Sequence, residues 1–175
     1  MRRIGIFVSV AVLHTLASTG LAMAQTDNAG CSVSDVAGQT RTIRCPNGVT
    51  IVVENGARYA LGAAGRDGKI NTVELNDKAL LLEVPPRSGH KTFQVNTPQA
   101  IAAVRGTRWA VDVSEGKTSV LVVRGRVAVG RRADARGAAV SLGPGEGVDV
   151  EGQAPLVVKK WAPARVAALM ARLGQ

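Results

Sequence analysis

The run Thr97-Pro98-Gln99-Ala100-Ile101-Ala102-Ala103-Val104-Arg105-Gly106-Thr107-Arg108-Trp109 decides how this chain folds. Phe93-Gln94-Val95 leads into it and Val111-Asp112-Val113 leads out. The Thr97-Pro98 step keeps the residue before proline extended and removes one backbone donor, which suits a strand end. Gly106 interrupts an otherwise alternating segment. A glycine there marks a bulge or sharp bend, because it reaches φ > 0 cheaply. The expectation is one strand, a corner that carries the Arg105 guanidinium, and a second strand.

The same grammar extends outward. Thr40-Arg41-Thr42-Ile43-Arg44 and residues 49–54 flank the turn Pro46-Asn47-Gly48 and read as a hairpin closed by Asn55-Gly56. Residues 58–61 suggest a third short strand, and 62–68 a glycine-rich turn. Residues 70–75 and 79–84 read as a second hairpin about Asn76-Asp77, with a loop over 85–89. Residues 117–124 and 126–130 read as strands joined at Gly125; their Val120, Val122, Val127 and Val129 alternate as one buried face requires. Residues 138–142 and 147–150 flank Gly143-Pro144-Gly145, and Leu156-Val157-Val158 reads as the last strand. About ten to twelve short strands punctuated by turns imply an all-β sandwich, roll or solenoid-like stack.

The ordered set Phe93-x-Val95-x-Thr97-Pro98-x-Ala100, Val104-Arg105-Gly106-Thr107 and Val111-x-Val113 resembles the FecR domain family. The likeness continues through Thr118-x-Val120-x-Val122, Gly125-x-Val127-x-Val129 and Leu142-x-Pro144-Gly145-Glu146, and more loosely through 41–84. Its signature residues here are Thr97, Pro98, Val104, Arg105, Gly106, Thr107, Gly125 and Gly145. The resemblance implies an all-β domain whose short strands stack in a β-helix-like roll. It also implies a role like that of regulators of iron-siderophore uptake, which receive a signal outside the cytoplasm and control a sigma factor. This chain lacks the cytoplasmic and transmembrane parts of that plan, so it reads as a stand-alone exported FecR domain.

The N-terminus supports export. Arg2-Arg3 precede an apolar run over 4–17, and Ala22-Met23-Ala24 is a small-x-small cleavage site, so 1–24 reads as a signal peptide cut after Ala24. The apolar run is too short for a comfortable membrane span. Cys31 follows Ala29-Gly30, but Asn28 stands where a lipidation signal needs an aliphatic residue. With Arg2 and Arg3 gone, the formal charge of +9 falls to +7. Such a domain can meet acidic partners, polysaccharide or anionic lipid, though excess cations also simply keep a β protein soluble. Nucleic acid is the wrong partner for the periplasm. The two cysteines, Cys31 and Cys45, lie in the exported part and predict one disulfide. The expected layout is a loose leader over 25–39, a FecR-like all-β domain over 40–160 and a helix within 161–175.

That helix is amphipathic. Pro163 suits its first residue, and Val166, Leu169, Met170 and Leu173 share one face, with Arg165 and Arg172 off it. It reads as a cap on an open end of the β stack, or as a docking helix for a partner. No nucleophile elbow, H-E-x-x-H or phosphate loop occurs. His90 reads as a loop residue, and no catalytic, cofactor or metal site is expected. Arg105 is expected to clamp adjacent layers through a carboxylate, Asp112 or Glu146. Alternatively, Arg105 and Arg108 bind an acidic ligand, with Arg124, Arg126, Arg131, Arg132 and Arg136 extending a basic surface. The functional expectation is a non-enzymatic periplasmic module that binds an envelope protein and senses a signal. The alternative is a basic protein that binds envelope polysaccharide or anionic lipid.

Overall fold

The computed structural model describes residues 30–36, 40–63, 65, 68–86, 92–134 and 137–175. The expected signal peptide, its cleavage site, His90 and Arg136 lie outside the described residues. In chain order the strands are β1 (Ser32–Val36), β2 (Thr40–Arg44), β3 (Thr50–Glu54), β4 (Arg58–Leu61), β5 (Thr72–Glu83), β6 (Phe93–Asn96) and β7 (Ala100–Val104). They continue with β8 (Arg108–Ser114), β9 (Lys117–Arg124), β10 (Val127–Arg131), β11 (Val140–Leu142), β12 (Glu146–Glu151) and β13 (Lys159–Lys160). One helix, α1 (Pro163–Arg172), follows.

The strands form one 13-stranded sheet that curls into a half-barrel of two layers. The first layer runs β1-β2-β3-β5-β8-β9-β12-β13, antiparallel throughout. The second runs β4-β5-β6-β7-β10-β11, with β5 and β6 parallel. Strand β5 belongs to both: β4 and β6 pair with its first half, β3 and β8 with its second. The expected hairpin about Asn76-Asp77 is therefore a single twelve-residue strand with a kink. The turn chemistry there is spent on the kink. Lys78 takes φ 62 and its N–H donates to Asp77 Oδ1, while neighbours on both sides keep each half paired.

Between the layers lies the main core. Ile43, Ile51, Leu80, Leu82, Trp109 and Val111 enter from the first layer, and Phe93, Val95, Val127 and Val129 from the second; all are fully buried. Burying each such aliphatic side chain contributes about 1.5–3 kcal/mol. The intervening residues Ala79, Leu81, Ala110 and Leu121 point to the other face of the first layer and are buried too. Strands β5, β8 and β9 are thus apolar on both faces, which requires a second cover.

That cover is α1. Leu169 and Leu173 pack on the outer cluster, with Val166, Met170, Trp161 and Val52 partly buried around it. Pro163 starts the helix at its first turn, where its missing N–H costs nothing. The helix covers a sheet face and not the strand edges expected of an end cap, because the apolar surplus sits in the middle strands. Two other expectations are corrected. The leader 25–39, expected to be loose, contains β1, which pairs with β2 along its whole length. Leu156-Val157-Val158 is not a strand: Leu156 and Val158 pack against the core without ladder bonds, and Val157 is 52% exposed. The last pairing moves on to β13.

The Cys31–Cys45 disulfide is present, with a sequence separation of 14 residues. It ties the start of β1 to the end of β2. Both half-cystines are buried against the main core.

Candidate functional site

Two of the corners that join the layers lie side by side, one between β7 and β8, the other between β9 and β10. At the first, Gly106 adopts φ +71 and packs against Pro86, while Thr107 is buried. The Thr107 backbone exchanges hydrogen bonds with Val84 at 2.9 and 3.0 Å, and its hydroxyl donates to the Arg126 carbonyl at 3.0 Å. At the second, Gly125 adopts φ +91 directly against Gly106 and Thr107. A Cβ on Gly125 would meet the Gly106 carbonyl oxygen and Thr107 Oγ1 at 2.9 Å each. The two corners therefore fit only because Gly125 lacks a side chain, while the bare Gly106 lets the chain pass against Pro86.

The other signature positions are spread along the strands and the turns between them. Thr97 is buried; its Oγ1 accepts the Ala100 N–H at 2.8 Å and lies 2.8 Å from Thr118 Oγ1 on β9. Pro98 is exposed at the tip of that turn, and Val104 is in the core. Gly145, at φ +73, donates its N–H to Val122 and accepts from Trp161 N–H. Arg105 differs. It is exposed, and among the described residues its guanidinium has no partner. Asp112 is engaged by Arg172 and Glu146 by the Gly143 N–H, so the expected Arg105 clamp does not form. Thr107 fastens the corner instead.

The expected basic surface divides. Arg105, Arg108, Arg124 and Arg126 gather at the corner end. Arg131 and Arg132 lie at the far end of β10, about 16 Å away at the strand rise. Arg124 pairs with Glu83 at 2.9 Å and Arg108 donates to Gln175 Oε1. Arg131 donates to the Gly152 and Ala154 carbonyls. Arg132 binds Glu74 at 3.0 Å and the Thr97 carbonyl. Burial pushes the Glu74 carboxyl up, but hydrogen bonds from Asn96 and Arg132 outweigh it and hold it below the usual range. Only Arg105 and Arg126 of this set carry no partner among the described residues.

A second constellation went unseen in the sequence. Arg172 of α1 grips two carboxylates, Glu54 of β3 at 2.7 Å and Asp112 of β8 at 2.9 Å, each less than a fifth exposed. Its hydrogen bonds to Asp112 first and to Glu54 second hold the Arg172 guanidinium charged well beyond its ordinary value. Two turns earlier along the helix, Arg165 binds Asp149 of β12 at 2.5 Å and stacks 3.5 Å over the Trp161 ring. Burial pushes the Asp149 carboxyl up, but hydrogen bonds from Arg165 and Ser119 prevail and hold it below the usual range. The acids looked scattered because they are 58 residues apart in sequence at the Glu54–Asp112 pair. The available signal was the spacing of Arg165 and Arg172, which sets both on one edge of the helical stripe.

An open depression of about 410 Å³ lies between the β1–β3 edge and β4, lined by Asp35, Arg41, Glu54 and Tyr59. Asp35 at 2.8 Å and then Tyr59 hold the Arg41 charge. Among the described residues, no helix is long and apolar enough to cross a membrane.

The model of the FecR protein family matches residues 33–128. The chain belongs to the FecR family. The match ends at β10, so β11, β12, β13 and α1 lie beyond it. Among solved structures, the chain is similar to two crystal structures of a candidate anti-sigma factor from Parabacteroides distasonis ATCC 8503. The TM-scores are 0.61 and 0.60, at 20% and 19% identity, over 80% and 79% of this chain. The FecR chain spans 64% of the length of each of those structures. At this identity the likeness shows the fold. No curated protein matches the chain. In this FecR chain, Thr107 and Gly125 hold the two neighbouring corners together, and Thr97 ties the start of β7 to β9.

Proposed function

We propose that this FecR protein is an exported, non-enzymatic recognition module that binds a protein of the cell envelope in a signal-sensing, regulatory role. The observation that carries this reading is the family match over 33–128. The similar fold of a candidate anti-sigma factor supports a regulatory context. The periplasm is supported by the N-terminal signal-like segment and by the Cys31–Cys45 disulfide, which persists in oxidising compartments. The test is crosslinking in intact cells followed by affinity capture of the full chain at low and high salt. Recovery of one defined envelope protein at both salt concentrations supports the reading.

Arg105 and Arg126 favour a second reading. Both are exposed and unpartnered among the described residues, beside the same corner. They form a small anionic-partner surface for polysaccharide or anionic lipid, from which Arg131 and Arg132 are excluded by their own partners. Capture of bulk envelope that is lost at high salt, and lost in Arg105→Ala/Arg126→Ala, would favour it over protein recognition.

A further inference from the structure

The outer face of the first layer is ordered in rows. The strand register lines up Val52, Leu81, Ala110 and Leu121 across β3, β5, β8 and β9. Gly147 of β12 ends this row, and Trp161 fills the space its missing side chain leaves. The next row carries the carboxylates Glu54, Asp112 and Asp149, with Asp112 opposite Ser119 and Ser119 opposite Asp149. An apolar stripe thus runs beside an acidic stripe, both across the strands. Asp149 and Asp112 are two strands apart, about 9.6 Å. Arg165 and Arg172 are seven residues apart, about 10.5 Å along a helix axis. The seat is therefore a ruler for a helix with two cations seven residues apart beside an apolar stripe.

The helix that fills the seat has few other ties. Its N-cap residue Ala162 makes no side-chain cap bond. Residues 154–158 before it have no regular structure, and β13 is two residues long. The outward face, Ala164, Ala167, Ala168 and Ala171, is exposed. A free helix of ten residues is unstable in water, so α1 once lifted unravels and leaves the stripe open.

We propose that this seat is a helix-recognition site, which exchanges α1 for an amphipathic helix of a protein partner with two basic residues seven positions apart beside an apolar stripe. This rests on the protein-recognition reading above and names its surface and the chemistry of its partner. The seat's acids match the partner's charge, as they match that of α1.

The test uses the full chain and a fluorescent peptide of residues 161–175 as the probe. In Arg172→Ala the seat stays intact while its own helix is loosened. That variant is expected to bind the peptide at least about ten-fold more tightly than the wild type, because more of it is open. A peptide with both arginines changed to glutamine is expected to lose at least about ten-fold in affinity. Equal binding of the two peptides, or no saturable binding to an Arg172→Ala protein that still unfolds cooperatively, overturns the proposal. Arg165→Ala serves the same purpose should Arg172→Ala fail to fold. An Arg172→Ala dimer that the peptide dissociates would make a second copy the occupant and overturn the assignment to a partner. Peptide binding with no envelope protein captured from cells would sink the recognition reading and spare the seat; capture without peptide binding would do the reverse.

Discussion

Arg172 is the side chain on which the helix depends most. It compensates two carboxylates that are each more than four-fifths covered, Glu54 and Asp112. Arg172→Ala leaves both acids facing each other across the seat. Charge-assisted hydrogen bonds contribute more than neutral ones, but Arg172 is itself 41% exposed and screened. The expected cost is about 1–2 kcal/mol in urea unfolding, with α1 affected before the sheet. Asp149 carries a pH signature. Its carboxyl is held below its ordinary range in the folded protein, so its contribution is present above about pH 4 and is lost as pH falls through the depressed folded value. Asp149→Asn is expected to be less stable than the wild type at neutral pH by about 0.5–1 kcal/mol, given its exposure. The gap closes as acidification takes the pH below the depressed folded value. A gap that widened in acid would refute the Arg165–Asp149 assignment. Arg105, by contrast, shows how a family signature residue misleads: its place beside Gly106 was legible, but its freedom from any carboxylate was not, since that depends on Arg172 claiming Asp112 and the Gly143 N–H claiming Glu146.

At the scale of elements, the corner between β7 and β8 was readable because Thr97-Pro98 and Gly106 state their backbone demands locally. So was the helix start at Pro163. The β5 kink was not, because Asn76-Asp77 has the same local chemistry in a hairpin and in a kinked strand, and only the pairing of β3, β4, β6 and β8 decides. The run Ala79-Leu80-Leu81-Leu82 held the missing information. Continuous apolar residues in a strand mean burial on both faces, and so a cover such as α1 over this face. The Gly106–Gly125 contact is the element-level feature most open to challenge. Gly125→Ala adds a Cβ 2.9 Å from backbone and from Thr107 at a φ that L-residues avoid. The expected loss is about 2–3 kcal/mol by thermal or denaturant unfolding. A variant as stable as the wild type would mean the two corners do not touch.

For the whole molecule, the disulfide and α1 act on different parts. Reducing Cys31–Cys45 is expected to cost about 3 kcal/mol in the chain-entropy picture for a loop of this length. The loss should fray β1 first, since the bond ties only that strand to β2, and leave β8 and β9 protected in hydrogen exchange. The curled sheet with a separable helix is the claim that joins fold to function, because a helix that opens alone can yield its seat to a partner. Residue-resolved amide exchange on the wild type and Arg172→Ala tests it directly. The account expects α1 amides to exchange faster in the variant while the β5, β8 and β9 amides keep their protection. If α1, β8 and β9 instead lose protection together, the helix is part of one cooperative unit and the seat cannot open on its own.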